Sequence, residues 1–120
     1  MVAILKRKKE IILLLLIILL AAFFRLHRIS DYAIFLGDEG RDALVVKKMI
    51  VERRPTLLGP STSVGNLYLG PAYYYLMLIP LWLANLNPVG PAIMVALFGV
   101  ATVWLIYRVG KDFFGSPTGL

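Results

Sequence analysis

The run PTLLGPSTSVGNLYLGPAYYYLMLIPLWLANLNPVGPAIMVALFGVATVWLIY, Pro55–Tyr107, holds 53 residues without one Asp, Glu, Lys or Arg. A soluble domain carries about a quarter charged residues. This chain carries 17 % and keeps them out of nearly half its length. A charge-free run this long reads as membrane rather than as a soluble core element. Its punctuation divides it. Residues 57–66, LLGPSTSVGN, form a turn-rich connector marked by Gly-Pro and Gly-Asn. A span is expected at about 67–86, opening on Gly70-Pro71 and on Tyr73, Tyr74 and Tyr75, with Pro80 set to kink it. NLNPVGP, 85–91, reads as a tight turn. A further span is expected at 91–107, containing Gly99 and ending at Arg108.

Working back towards the N-terminus, Lys6-Arg7-Lys8-Lys9 precedes IILLLLIILLAAFF, Ile11–Phe24. Basic then apolar is the order of a signal peptide or a signal anchor. No small-x-small cleavage pattern follows, so the favoured reading is an uncleaved span at 11–29 behind a basic end at 1–10. Its 14 uncharged residues are few for a span of about 20. Snorkelling of Arg25 and Arg28 would extend it. The expected architecture is therefore all-α and integral to the membrane. It has three transmembrane helices plus an amphipathic surface helix in the first loop, within one membrane domain over 1–120.

The loop, 30–66, carries the charge that the spans lack. Its middle, 39–54, has helical periodicity, with Arg41, Lys48 and Glu52 on a polar stripe and Ala43, Val46 and Ile50 opposite. Such a helix suits a membrane surface. Pro55 ends it. At its start, FLGDEGRDAL (Phe35–Leu44) packs Asp38, Glu39, Arg41 and Asp42 into five residues. The structural reading makes Asp38 an N-cap and gives Glu39 and Asp42 to the helix dipole. The chemical reading uses their position beside a bilayer. Transfer of a sugar from a lipid phosphate needs one carboxylate to take the acceptor's proton and cations to hold the departing phosphate. The loop supplies both kinds of group, carboxylates for the first and cations, Arg41 and Lys48 among them, for the second. Tyr73 and Tyr74 read as an interface belt or as contacts for a sugar or a lipid chain.

Other classes find less support. The net charge is +6, but no basic patch is interleaved with stacking aromatics, so no nucleic-acid partner is expected. The bilayer is the expected partner of that charge. There is no cysteine, which excludes disulfides and thiolate chemistry. The single histidine, His27, lacks a partner at metal-ligand spacing, and no metal site is assigned. Ser61-Thr62-Ser63 follows Gly-Pro but lacks the phosphate-loop pattern.

The stretches FLGDEGRDA (Phe35–Ala43), LLGPSTSVGNLYLGPAYYYL (Leu57–Leu76) and NPVGPAIMVALFGVATVWLIYRVG (Asn87–Gly110) together resemble the N-terminal part of GT-C membrane glycosyltransferases. The similar group includes the protein mannosyltransferases and the lipid A aminoarabinose transferase. The resemblance implies a multi-span helical bundle in the cell membrane with the N-terminus cytoplasmic and the first loop extracytoplasmic. Charge counting alone leaves the orientation open, with four basic residues before the first apolar run and seven between it and the next, Arg25 and Arg28 included. It implies inverting transfer from a polyprenyl-phosphate sugar to an envelope glycan, lipid or protein. The proposed base and its neighbour in that family fall on Asp38 and Glu39. No cofactor beyond the donor is assigned, and metal dependence stays open. Since such enzymes have many more spans, the 120 residues are read as an N-terminal piece, inactive alone. The alternative is a small non-enzymatic three-span scaffold or transporter subunit, in which Asp38 and Glu39 only stabilise the helix start.

Overall fold

The computed structural model describes the backbone of residues 2–120 and the side chains of 8–115 and 117–120. Met1 and the side chains of Lys6 and Arg7, part of the expected basic end, lie outside the described residues. The chain is all-helical: α1 (Val2–Leu26), α2 (Ile29–Tyr32), α3 (Asp38–Val51), α4 (Ala72–Leu83), α5 (Val89–Phe114) and α6 (Ser116–Gly119). Among the described residues the only extended pairing is an isolated antiparallel bridge between Ser61 and Tyr68. Residues 29–94 form one compact unit; residues 1–28 with 95–120 form a second.

Among the described residues one helix, α5, is long and apolar enough to cross a membrane. Only 17 % of its apolar window is buried in the protein, which is unlike the core helix of a soluble domain. Three spans were expected, and the other two helices fall short for different reasons. In α1, Lys8, Lys9 and Glu10 on one side and Arg25 on the other bracket the 14 uncharged residues Ile11–Phe24 within a helix of 25. The helix α4 has 12 residues, about 18 Å at 1.5 Å per residue against a hydrocarbon core of about 30 Å. It is shorter than the expected 67–86 because residues 67–69 are extended. Leu69 N–H donates to the Pro60 carbonyl, Thr62 N–H to Leu67 and Gly59 N–H to Leu69. The helix begins only after Pro71.

That extended pairing is tight. A Cβ on the buried Gly59 would meet the Leu69 carbonyl oxygen at 2.5 Å, and backbone has no rotamer with which to retreat. Gly59→Ala is expected to destabilise this unit by about 1–3 kcal/mol. The check is hydrogen exchange, in which the Leu69 amide should lose protection well before amides of α3.

In the first unit, α3 packs on α4. Ala43, Val46 and Met49 meet Tyr74, Met77 and Leu81 in a buried cluster. Val46 is fully buried and Leu81 is 2 % exposed. Each side chain of this kind stabilises the pairing by about 1.5–3 kcal/mol. The apolar face of α3 thus covers a neighbouring helix; the sequence-based expectation had turned it to the membrane surface. The helix α3 stops at Val51, three residues short of the expected end. Glu52 N–H closes the last turn on the Lys48 carbonyl, and Arg53 turns left-handed at φ 53°. A non-glycine residue there costs roughly 1–2 kcal/mol. Arg53→Gly should recover much of that as a raised denaturation midpoint.

The turn expected at 85–91 is present and has a recognisable mechanism. After α4, Asn85 N–H donates to Trp82 O and Leu86 N–H to Leu81 O. This is the paired bonding of a Schellman ending, with Asn85 left-handed at φ 53°. Leu86 tucks against the α3–α4 cluster. Asn87 Oδ1 then accepts from Val89 N–H at 3.0 Å, opening α5. Pro91 sits in the first turn of α5, where its missing N–H removes no helical bond.

In the second unit, Glu10 of α1 accepts two donors from α5. Lys111 Nζ lies 2.6 Å and Tyr107 Oη 2.5 Å from Glu10 Oε1. Lys111 Nζ also donates to Tyr107 Oη at 3.1 Å. Nearer the other end of α1, Gly99 of α5 makes room for an arginine: a Cβ there would meet Arg25 Nε at 2.6 Å.

Candidate functional site

The start of α3 is built on glycine. Gly37 precedes the helix at φ 57°, ψ −114°, a conformation essentially closed to residues with a Cβ. Its carbonyl accepts from Arg41 N–H at 3.1 Å. Gly37, not Asp38, therefore occupies the cap position, and no side chain caps this end. Asp38 and Glu39 lie in the first helical turn, where their charge complements the exposed N–H groups.

The four charged side chains of the stretch then separate by depth. Asp38 is 84 % exposed and pairs with Arg41 Nη1 at 3.0 Å. Glu39 is exposed. Asp42 turns inward and is 6 % exposed. Its Oδ1 accepts from Arg41 Nε and Nη2, each at 3.2 Å, and from Tyr74 Oη at 3.2 Å. Arg41 bridges Asp38 and Asp42. Its guanidinium is held further above its ordinary pKa, first by the hydrogen bond to Asp42, with desolvation opposing and the charge on Asp38 adding. It stays cationic at any working pH.

The residues expected to touch substrate divide in the same way. Arg41 and Lys48 share an open recess lined also by Gly37, Gly40, Leu44 and Val45. Tyr74 is 3 % exposed, and its hydroxyl is engaged by Asp42. Tyr73 keeps an open face at 41 % exposure, its ring 6.1 Å from that of Tyr74. Tyr75 donates to the Thr56 carbonyl at 3.0 Å and anchors the segment after α3 onto α4. The three tyrosines therefore serve three different ends.

Sequence reasoning assigned Asp42 to the helix dipole and missed it as the buried anchor of the site. The signal was in the spacing. Asp42, Val46 and Met49 stand at i, i+4 and i+7, one stripe of a helix. An acid on that stripe must find a partner inside, and Tyr74 is that partner.

No protein-family model, no curated protein and no solved structure matches the chain. The site rests on its own geometry. It presents an exposed carboxylate, a guanidinium fixed between two acids, a second cation across a shallow recess and one accessible tyrosine ring. Among the described residues, no cluster of three or more His, Cys, Asp or Glu could hold a metal ion. Chemically, the arrangement can accept a proton at Asp38 or Glu39 and place positive charge within one helical turn of it.

Proposed function

We propose that this chain forms the start of a membrane glycosyltransferase of the GT-C type, which uses a polyprenyl-phosphate sugar as donor. The observation that supports this most is the placing of Asp38. Its carboxylate stands in water on the first turn of α3, while Asp42 beneath it locks that turn to α4. In the proposed step Asp38 takes the proton of an acceptor hydroxyl. The hydroxyl oxygen bonds to the anomeric carbon, the carbon–oxygen bond to phosphate breaks, and polyprenyl phosphate leaves with the electron pair. The leaving group needs no acid, which suits a site with one free base and nearby cations. Arg41 and Lys48 would face the phosphate, and Tyr73 the sugar or the lipid chain. The chain would cross the membrane several times, with α3 on the extracytoplasmic side and further spans completing the pocket.

The test is transfer in membranes that contain the natural protein. Label should move from a radiolabelled polyprenyl-phosphate sugar to an envelope acceptor, and more slowly in membranes lacking the protein. Equal transfer with and without it across the common lipid-linked hexoses and pentoses would sink the proposal.

One observation favours the non-enzymatic reading: Asp38 and Glu39 already complement the helix start. On that reading, neutralising either costs about 0.3–1 kcal/mol of stability and nothing else.

A further inference from the structure

The outward face of α3 is charged in a pattern of which the proposed reaction uses only Lys48. At 3.6 residues per turn, Leu44 and Val51 lie one above the other, opposite the buried stripe. They are 60 % and 63 % exposed. Lys47 flanks them on one side and Lys48 on the other, both exposed. Arg53 and Arg54 follow at the helix end, also exposed, and Leu57 just beyond is 85 % exposed. Among the described residues no carboxylate pairs with Lys47, Lys48, Arg53 or Arg54. Arg41, at the other end of the same helix, is held by two. The helix is thus acidic where it begins and strongly basic where it ends, with its exposed apolar groups set among the free cations. Arg53 keeps its charge there despite a left-handed backbone that glycine would adopt more easily. The segment is fixed in place, since the Thr56 carbonyl is tied to Tyr75.

We infer that the C-terminal half of α3, through Lys47, Lys48, Arg53 and Arg54 around Leu44 and Val51, docks on the headgroup layer of a bilayer rich in anionic phospholipid. Cations interleaved with exposed aliphatic side chains fit a lipid surface, where charge meets phosphate and methyl groups enter the acyl boundary. A site for a free phosphate would need a concave, polar wall, and Val51 and Leu57 offer the opposite. The acidic first turn is repelled by the same surface. Docking therefore tilts α3, basic end down, and leaves Asp38 in water. The inference rests on the chain being in a membrane, not on its being a transferase.

The chain has no cysteine, so single reporter thiols are unambiguous. The full chain would be reconstituted in nanodiscs of phosphatidylcholine, with or without 30 mol % phosphatidylglycerol. It would carry an environment-sensitive fluorophore at Val51→Cys, Glu39→Cys or Leu97→Cys. Position 97, in α5, reads insertion itself. A wet label there would overturn the membrane reading, separately from the rest. With 97 immersed, position 51 should become immersed only when anionic lipid is present, and position 39 should stay wet. Lys47→Gln, Lys48→Gln, Arg53→Gln and Arg54→Gln together should lower the immersed-to-wet ratio at 51 by several hundred-fold, at about five-fold per cation. Salt at 1 M should do likewise. The four Lys/Arg interchanges, K47R, K48R, R53K and R54K, should preserve the ratio. Helical circular dichroism checks that the neutralised protein is folded. A position 51 that stays wet on anionic bilayers overturns the inference. So does immersion that ignores lipid charge, and so does an equal response to inorganic phosphate over pure phosphatidylcholine.

Discussion

Asp38→Asn is expected to lower sugar transfer by about 10²- to 10⁴-fold, the usual worth of a positioned general base, while leaving the fold intact. The two halves of this expectation come from the same geometry. Asp38 is 84 % exposed, and its one ion pair, to Arg41, is at the surface. Such a pair contributes about 0–1 kcal/mol, so its loss cannot unfold the α3–α4 unit. Asparagine keeps the size and a hydrogen-bonding oxygen and removes the charge, and with it the ability to take a proton. Donor binding should therefore survive, and kcat should carry the loss. Arg41→Gln is the companion variant. It removes the cation but not the base, so it should weaken donor affinity more than Asp38→Asn does. An Asp38→Asn protein with ordinary turnover would sink the assignment. A Glu39→Gln protein with the larger loss would move the base one residue along.

Asp42→Ala should do the reverse, damaging the fold first. It leaves the Tyr74 hydroxyl buried without its acceptor, and unpaired buried groups cost about 1–3 kcal/mol. It also releases Arg41 from one of its two acids. Tyr74→Phe alone should cost about 1 kcal/mol, since it deletes one donor and leaves Asp42 bonded to Arg41. The double variant should cost less than the sum of the singles, because each removes the partner that the other strands. Denaturation in detergent micelles, followed by tyrosine near-ultraviolet dichroism, measures all three. Strict additivity would show that the 3.2 Å contact between Tyr74 and Asp42 contributes no coupling.

The separation of these two acids shows where sequence reading reached and where it stopped. The all-helical class, a helix near 39–54 and the turn at 85–91 were legible because period and punctuation are local signals. Asn85 and Asn87 mark that turn by chemistry that depends on a few adjacent residues. The depth of Asp38 against Asp42 was not legible, although they stand four positions apart on similar carboxylates. Depth depends on the phase of α3 against α4, and that phase is fixed by Val46 and Met49 meeting Met77 and Leu81. The length of α4 escaped for a like reason. Leu67-Tyr68-Leu69 is apolar enough to extend the helix, yet its backbone is paired with 59–62, and only a long-range partner decides that.

The link between Glu10 and Lys111 spans 101 residues, and so it also sets an order in time. On the ribosome, at about 5–20 residues per second, Glu10 is made roughly 5–20 s before Lys111 exists. Through that interval α1 has an acid without its lysine and tyrosine. Until α5 is made, this contact between the two helices cannot form. The last long helix thus completes the first, and a chain stalled before Tyr107 would expose an unfinished α1 to quality control.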